Sequence, residues 1–272
     1  VFPCGAISAS GAVLLDGQTG RLLYNKQADK QSLIASTTKI MTALIVCEQI
    51  NVLDRVRIPK EAVGIEGSSM YLKEGEVLTL QDLLYGLMLH SGNDAAVALA
   101  IYCGGTVEGF AQLMNDKAHD LGMKNSHFVN PNGLDAPEHY STARDIAVMS
   151  AALLHYPGVT DYSTVWMDSL RDGATQLVNT NKLVRFYDGA TGLKTGTTDG
   201  AGSCLAASAK RGELSLVAVS LGSDTSAQRF SACRTLLDYG FANYISAAAP
   251  PAAQELTDLP VTHGVRRQVS LR

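Results

Sequence analysis

The chain has 272 residues, of which 46% are hydrophobic and 18% are charged, a composition typical of a globular protein with a sizeable core. Its 22 basic and 26 acidic residues give a formal net charge of −4, so the charge balance gives no reason to expect nucleic acid as a partner. No apolar run reaches the roughly 18 residues that predict a membrane-spanning helix. The sequence starts at Val1 without a visible signal peptide, which is compatible with a leader that has been removed.

The predicted elements begin with a β-hairpin over residues 11–25. Its two apolar runs flank a loop at 16–20 whose glycines supply the positive φ angles of a tight turn. Helical patterns then follow at 36–49, 80–90, 93–102, 107–121 and 142–155. Three further strands are predicted at 191–198, 203–210 and 214–222, and a last helix at 227–244.

Strands at both ends of the chain, with helices between them, predict an α/β (α+β) fold. Because the strands are joined by hairpins, we expect a mainly antiparallel sheet of about five strands, flanked by helices. A helical insert is predicted over about residues 50–165, within one domain formed by residues 1–246. Prolines and small residues from about Ala247 predict a linker, and the segment that follows it to residue 272 is too short for a stable β domain of its own.

Metal-binding patterns are missing from the sequence. The five cysteines lack the paired spacing of a zinc site, and their odd number argues against a complete disulfide framework; they are Cys4, Cys47, Cys103, Cys204 and Cys233. Most lie in apolar stretches, which favours small buried side chains. The six histidines include no His-x-x-x-His pair on a helix, so a metal hydrolase is not expected. For His139, in "EHYSTARD", we expect a structural hydrogen-bonding role.

A serine and a lysine lie three residues apart in "IASTTKIMTAL", at the start of the first predicted helix. Ser36 and Lys39 therefore face the same side of that helix. A serine hydroxyl becomes a good nucleophile when a base takes its proton, and lysine is such a base only when uncharged. Burial or a second cation nearby lowers a lysine pKa. Ser-x-x-Lys also arises by chance, with the lysine reaching solvent, so other motifs must decide.

A second cation is available at Lys194, in the predicted strand "GLKTGTT". Gly196 lets a ligand approach the backbone of the strand edge, because no side chain intrudes there. Lys194 and Thr195 offer a cation and a hydroxyl to an anionic group. A simple turn at the end of the strand is the alternative explanation.

Ser91 and Asn93 lie between two helical runs, in "LMLHSGNDAAVAL". On so short a connection both side chains can project into a cleft. Ser91 is a candidate to relay a proton, and the Asn93 amide is a candidate to hold both a substrate carbonyl and Lys39. Capping of the following helix by either side chain is the alternative, and it does not exclude catalysis.

Together and in this order, the three motifs resemble those of the penicillin-recognising serine enzymes. Within that superfamily the sequence resembles the low-molecular-mass penicillin-binding proteins that are D-alanyl-D-alanine carboxypeptidases (peptidase S11-like). Further matching segments are "NPNGLDAPEHYSTARDIA", "TGLKTGTTDGAGSCLAASA" and "QRFSACRTLLDYGF", and the resemblance covers residues 8 to about 245. It implies a β-lactamase/transpeptidase-like fold with an all-helical subdomain, and a C-terminal segment that is the truncated start of a β-rich domain.

The resemblance implies catalytic roles for Ser36, Lys39 and Ser91, and substrate-binding roles for Asn93 and Thr197. Ser36 is expected to be the acylated nucleophile and Lys39 its proton acceptor. Ser91 and Asn93 are expected to complete the proton network and hold the substrate peptide. The backbone N–H groups of Ser36 and Thr197 are expected to form the oxyanion hole, which lowers the barrier because its donors point at developing charge.

The resemblance also implies the ligands. Lys194 and Thr195, beside Gly196, are expected to receive the terminal carboxylate of the substrate, with Arg229 as a further carboxylate ligand. Arg229 also has the plain explanation of an exposed arginine at a helix start. The implied substrate is the D-Ala-D-Ala end of the peptidoglycan pentapeptide stem, with β-lactams as covalent inhibitors. No metal or cofactor is implied, the compartment is extracytoplasmic, and membrane attachment would require a C-terminal segment absent from this sequence.

Two other functions share the motifs. A class A β-lactamase needs a glutamate in a Glu-x-x-Leu-Asn-type loop, and neither Glu108 nor Glu138 has that context. The second motif is also Ser-Gly-Asn instead of Ser-Asp-Asn. A non-catalytic peptidoglycan-binding protein would not need an intact nucleophile. The sequence does not identify the residue that activates water for deacylation. Our hypothesis is that Lys39 does so together with Ser91.

Overall fold

The structure is a computed structural model that describes residues 7–49, 51 and 53–247, with two short strands at 259–260 and 268–269. The strands are β1 Gly11–Asp16, β2 Leu22–Lys26, β3 Arg55–Arg57, β4 Val77–Thr79, β5 Met167–Leu170, β6 Thr175–Val178, β7 Ala190–Thr198, β8 Gly202–Arg211, β9 Leu214–Ser223, β10 Leu259–Pro260 and β11 Gln268–Val269. The helices are α1 Lys39–Gln49, α2 Leu80–Met88, α3 Asn93–Gly104, α4 Val107–Asp120, α5 Ala143–Leu154, α6 Val159–Ser163, α7 Leu183–Phe186 and α8 Ser226–Asn243.

The central sheet has five strands in the order β2-β1-β9-β8-β7, and all neighbours are antiparallel. The N-terminal hairpin therefore pairs with the strands from the C-terminal half, in agreement with the predicted sheet. β7 lies at one edge of the sheet and packs against the turn that precedes α1. The described part of the chain beyond this sheet adds the two-stranded pairs β3–β4, β5–β6 and β10–β11.

Two hydrophobic cores cover opposite faces of the sheet, because successive side chains of a strand point to opposite faces. Val13 and Val219 belong to the core that contains α1 and α5, whereas Leu14 and Ala218 belong to the core that contains α8. The first eight residues of α1, from Lys39, are all buried. As the first residue of this buried helix, Lys39 is held in the interior of the protein.

The helical segment between the two halves of the sheet differs from the prediction in its detail. It contains the helices α2 to α5, as predicted, and also α6 and the two-stranded sheet of β3 and β4, which the sequence did not predict. Three-residue strands such as "RVR" are too short for a period of two to be recognised. Within the described residues no single helix is long and apolar enough to cross a membrane; α3 and α4 meet such criteria only as a joined pair, bent by 82°.

The first helix also starts later than predicted. Residues Ala35–Thr38 form a 3-10 turn, and α1 begins at Lys39. The hydroxyls of Thr37 and Thr38 donate to the carbonyls of Ile34 and Ala35, at 2.6 Å and 2.9 Å, and such local bonds compete with the regular helix. The predicted linker and C-terminal stub, and Cys4, lie almost entirely outside the described residues.

Candidate active site

Ser36 is presented by the 3-10 turn before α1. It is half-buried, whereas Ala35, Thr37 and Thr38 around it are buried. Ala35 has φ +45°, a left-handed conformation that non-glycine residues rarely adopt. Gly133 packs against this turn so closely that a Cβ at position 133 would lie 1.9 Å from the Ala35 carbonyl oxygen. The turn is therefore held by its surroundings.

Lys39 is fully buried, and its amino group reaches back to Ser36. Lys39 Nζ lies 2.9 Å from Ser36 Oγ, 2.6 Å from Asn93 Oδ1 and 2.7 Å from the Asn132 carbonyl oxygen. Burial first, and then the charge of Lys194, hold the pKa of Lys39 well below its ordinary value of 10.5. An uncharged amine has two N–H donors and one lone pair. Its donors fit the two carbonyl-type oxygens, which leaves the lone pair for the Ser36 hydroxyl proton.

Lys194 is the second buried lysine of this site. It lies in β7, and its Nζ donates to the Thr195 carbonyl oxygen at 3.0 Å. Burial first, and then the charge of Arg229, lower the pKa of Lys194 to about 7. The charge of Lys194 in turn lowers the pKa of Lys39. The structure thus brings together the two lysines that were predicted to interact.

Gly196 brings β7 against the Ser36 turn. A Cβ at position 196 would lie 2.7 Å from Ser36 N and 3.1 Å from Thr37 N. The glycine was predicted to leave space for a ligand, whereas in the structure the chain's own backbone approaches it. Glycine is required here because main-chain atoms cannot move aside as a flexible side chain can.

The hydroxyls of β7 have partners within the protein. Thr195 Oγ1 donates to Thr180 Oγ1 at 2.7 Å, and Thr197 Oγ1 donates to the Gly196 carbonyl oxygen at 2.8 Å. Thr195 is buried and Thr197 is exposed. The residue between Lys194 and Gly196 thus has its hydroxyl anchored by the segment that precedes α7, and Thr197 faces outward at the end of the motif.

Arg229 is buried, with 8% of its surface exposed, so the exposed helix-start arginine considered from the sequence is wrong. Its Nη1 donates to the Gly196 carbonyl oxygen and to Thr197 Oγ1, both at 2.8 Å, and to the Cys204 carbonyl oxygen at 3.3 Å. Its Nε is buried and makes no hydrogen bond within the described residues. Arg229 therefore supports β7 and keeps an unused donor.

Asn93 is the first residue of α3 and connects Lys39 to a neighbouring loop. Its Oδ1 accepts from Lys39, and its Nδ2 donates to the Glu66 carbonyl oxygen at 2.6 Å. Gly92 is the N-cap of α3 and no side chain caps this helix end, so the capping explanation of the motif is wrong. The Asn93 amide instead links Lys39 to the loop that contains Glu66.

Ser91 lies on the connection between α2 and α3, with φ +65°. Its side chain is buried, with 6% exposed. Across the part of the chain that the structure describes, its hydroxyl makes no hydrogen bond to Ser36 or Lys39. The structure thus places Ser91 in the connection that was predicted, with a hydroxyl still available.

Two residues of the site were missed by sequence reasoning. Asp94 is buried and accepts hydrogen bonds from Ser69 Oγ and from the N–H groups of Met70 and Leu72, so it fixes the loop beside Asn93. An acidic residue opening an otherwise apolar helix was the available signal. Asn132 contributes its backbone carbonyl to Lys39, and no side-chain pattern identifies such a group.

Among residues 7–247, positions 50 and 52 aside, no group of three or more His, Cys, Asp or Glu side chains is arranged to hold an ion. The four described cysteines are free, and burial raises the pKa of the Cys47 and Cys103 thiols to about 11 and about 12.

Residues 3–225 match the peptidase S11 family model, described as D-alanyl-D-alanine carboxypeptidase. The chain belongs to this family. It is 39% identical over 274 residues to the D-alanyl-D-alanine carboxypeptidase DacF of Bacillus subtilis, in an alignment that covers 98% of this chain and 70% of that protein. It is 38% identical over 248 residues to DacC of Escherichia coli, with 87% of this chain and 62% of that protein covered.

Solved structures of family members share the fold. Penicillin binding protein 5 of Haemophilus influenzae matches with a TM-score of 0.88 and 32% identity, over 97% of this chain and 79% of that one. A point mutant of a Streptomyces DD-transpeptidase matches with a TM-score of 0.81 and 34% identity, over 87% of this chain and 98% of that one. The β-lactamase/transpeptidase-like fold predicted from the sequence is confirmed.

Proposed function

We propose that this protein is a serine-type D-alanyl-D-alanine carboxypeptidase that removes the terminal D-alanine from peptidoglycan stem peptides. The observation that supports this most strongly is the 2.9 Å approach of the buried Lys39 Nζ to Ser36 Oγ. A buried lysine without a carboxylate partner is costly unless it is uncharged, and an uncharged amine beside a hydroxyl is a base.

Acylation starts when Ser36 Oγ attacks the carbonyl carbon between the two D-alanines. The hydroxyl proton passes to Lys39 Nζ, and the negative oxygen is held by the backbone N–H groups of Ser36 and Thr197. The C–N bond then breaks, and the leaving amine takes a proton from Lys39, with Ser91 as a relay. Donors aimed at the oxyanion contribute several kcal/mol to such a step.

The leaving D-alanine carries the carboxylate of the substrate. Lys194 and the Thr195 hydroxyl are proposed to receive it, because a carboxylate nearby raises the pKa of Lys194 from about 7 and restores its charge. Arg229 is proposed to assist through its charge, because its guanidinium bonds to Gly196 and Thr197 in the same strand as Lys194. The Asn93 amide, next to Lys39, is proposed to hold the substrate peptide.

In deacylation Lys39 is again the base, and water takes the place of the serine hydroxyl as the nucleophile. A water molecule loses a proton to Lys39 and attacks the ester carbon, and the Ser36 oxygen leaves and regains the proton. Ser91 is proposed to assist this step because its hydroxyl is buried on the connection that leads into Asn93, whose amide bonds to Lys39.

A β-lactamase with a glutamate-held water is not favoured. Glu108 lies exposed in the first turn of α4, and Glu138 is exposed on a loop; within the described residues neither side chain forms a hydrogen bond with Ser36 or Lys39. We therefore expect β-lactams to form a long-lived ester on Ser36. A non-catalytic binding protein is not favoured either, because binding does not require an uncharged lysine in the interior.

The substrate chemistry also suggests where the protein works. Peptidoglycan stems lie outside the cytoplasmic membrane, so we infer an extracytoplasmic, secreted or membrane-associated enzyme with a role in cell-wall organisation and cell shape. The release of free D-alanine from diacetyl-L-Lys-D-Ala-D-Ala tests the activity. Intact mass after benzylpenicillin treatment tests the nucleophile: we expect one adduct on the wild type and none on Ser36→Ala, and an unmodified wild type would contradict the proposal.

A further inference from the structure

A buried chain of hydrogen bonds leads from His139 to the peptide bond before Ser36. The N–H of Val129 donates to His139 Nδ1 at 3.1 Å. His139 Nε2 lies 2.8 Å from Thr38 Oγ1, and that hydroxyl donates to the Ala35 carbonyl oxygen at 2.9 Å. His139 is 1% exposed and Thr38 is fully buried, so water does not compete for these bonds.

The direction of each bond follows from the first. Because the Val129 N–H donates to Nδ1, that nitrogen carries no proton, and the neutral ring carries its proton on Nε2. Nε2–H therefore donates to Thr38 Oγ1, whose own proton points to Ala35. Burial lowers the pKa of His139 to about 4, so the ring stays neutral through the neutral pH range.

The Ala35 carbonyl and the Ser36 N–H are the two ends of one planar peptide unit. A hydrogen bond that fixes the carbonyl therefore fixes the direction of the N–H. It also polarises the unit, since bonds in a chain strengthen one another. The plane needs such support because Ala35 holds φ +45°, where a residue with a Cβ is strained.

We propose that His139 is a positioning residue, which acts through Thr38 to hold the Ala35–Ser36 peptide so that the Ser36 N–H points into the oxyanion hole. The inference rests on the proposed function, because it assigns that N–H to the oxyanion. The two hydrogen bonds of His139 confirm its expected structural role. We further expect these bonds to raise the rate of acylation.

Two matched pairs of variants separate this link from simple packing. His139→Gln keeps an N–H donor that reaches towards Thr38, whereas His139→Asn keeps an acceptor for Val129 and is too short to reach Thr38. Thr38→Ser keeps the hydroxyl, whereas Thr38→Val removes it and keeps the shape of the side chain. The Thr38 pair keeps the test decisive if either His139 variant fails to fold.

The measurements are the rate of acylation by benzylpenicillin at saturation and the infrared carbonyl stretch of the ester on Ser36. We expect His139→Asn and Thr38→Val to acylate about 10-fold or more slowly. The ester stretch should move to higher frequency, because the oxyanion hole then donates weaker hydrogen bonds to the ester carbonyl. His139→Gln and Thr38→Ser should stay near the wild type. The double variant that combines His139→Asn with Thr38→Val should be no slower than Thr38→Val alone, because both changes break the same chain of bonds.

The results that overturn the inference differ from those that overturn the function. If folded Thr38→Val acylates at the wild-type rate with an unchanged ester stretch, the link from His139 is structural only. If the wild type itself forms no ester with benzylpenicillin, the proposed function fails before the variants are compared.

Discussion

Lys39 Nζ and Ser36 Oγ lie 2.9 Å apart in a position where the lysine is fully buried. No carboxylate bonds to this amine within the described residues; its other partners are the oxygens of Asn93 and Asn132. The charge state of Lys39 is therefore set by its surroundings, and the first predictions concern that charge.

Replacement of Lys39 should abolish turnover as fully as replacement of Ser36. We expect Lys39→Ala and Ser36→Ala each to lower the hydrolysis of diacetyl-L-Lys-D-Ala-D-Ala by about 1,000-fold or more, because residues that act as a unit do not contribute additively. Lys39→Arg should be equally inactive, since a guanidinium keeps its proton. Near-normal D-alanine release by Lys39→Ala would refute the role of this base.

The acylation rate should rise with pH through the pKa of Lys39. Burial lowers that pKa most, and the charge of Lys194 lowers it further. Lys194→Met removes the second effect, so the acidic limb of the rate profile should move to higher pH. The rate of acylation by benzylpenicillin from pH 4 to 9 measures this shift, and an acidic limb that stays in place would show that the two amines do not interact.

The same substitution should stabilise the fold. The pKa of Lys194 is about 7 in the folded protein and 10.5 without burial, so the unfolded chain binds more protons between these values and stability rises with pH across that window. The cost of burying Lys194 is therefore fully present below pH 7. Lys194→Met should raise the free energy of unfolding at pH 6 by a few kcal/mol, at about 1.4 kcal/mol per pKa unit.

The control for this stability prediction is Lys30→Met, at an exposed lysine. Denaturant unfolding at pH 6 and pH 10 is the measurement. The gain from Lys194→Met should shrink at pH 10, whereas the control should change little at either pH. An equal gain at both values would mean that the charge of Lys194 is not the cause.

Gly133 should resist substitution more than a glycine of similar conformation elsewhere. Gly133 and Gly122 have φ +86° and +71°, so alanine is strained at both, by roughly 1–2 kcal/mol. At position 133 the added Cβ also meets the Ala35 carbonyl oxygen at 1.9 Å, whereas at position 122 it meets nothing within 4 Å.

Gly133→Ala should therefore lose stability beyond Gly122→Ala and should also acylate more slowly, because the turn that presents Ser36 must shift. Thermal unfolding and the benzylpenicillin acylation rate measure the two effects. Equal losses in the two variants would show that the contact with Ala35 does not support the turn.

Much of the fold could be predicted from the sequence, because the strands of the central sheet are long and apolar. The strands predicted at 203–210 and 214–222 are observed at Gly202–Arg211 and Leu214–Ser223. β3 was missed because three residues carry no clear period. The late start of α1 was missed because the threonine bonds that replace helical ones depend on the geometry of the turn.

The candidate site could be predicted where side chains contribute its atoms, as for Ser36, Lys39 and Lys194, which the structure brings together and whose roles stay predictions. It was not predictable where main-chain atoms contribute. The Asn132 carbonyl and the packing of Gly196 against Ser36 N depend on which loops meet in space. The burial of Arg229 was missed for the same reason, since its partners lie on β7 and β8, far away in sequence.

The position of β1 between β2 and β9 sets the order in which the molecule can be completed. The N-terminal hairpin finds its neighbour only after residue 223 has been synthesised, and pairings so distant along the chain form slowly. The turn that carries Ser36 packs against β7, which carries Lys194, in the same assembly. A chain that is still being synthesised therefore holds Ser36 without the strand that lowers the pKa of its neighbouring lysine, and we expect Ser36 to become reactive only after the sheet has formed.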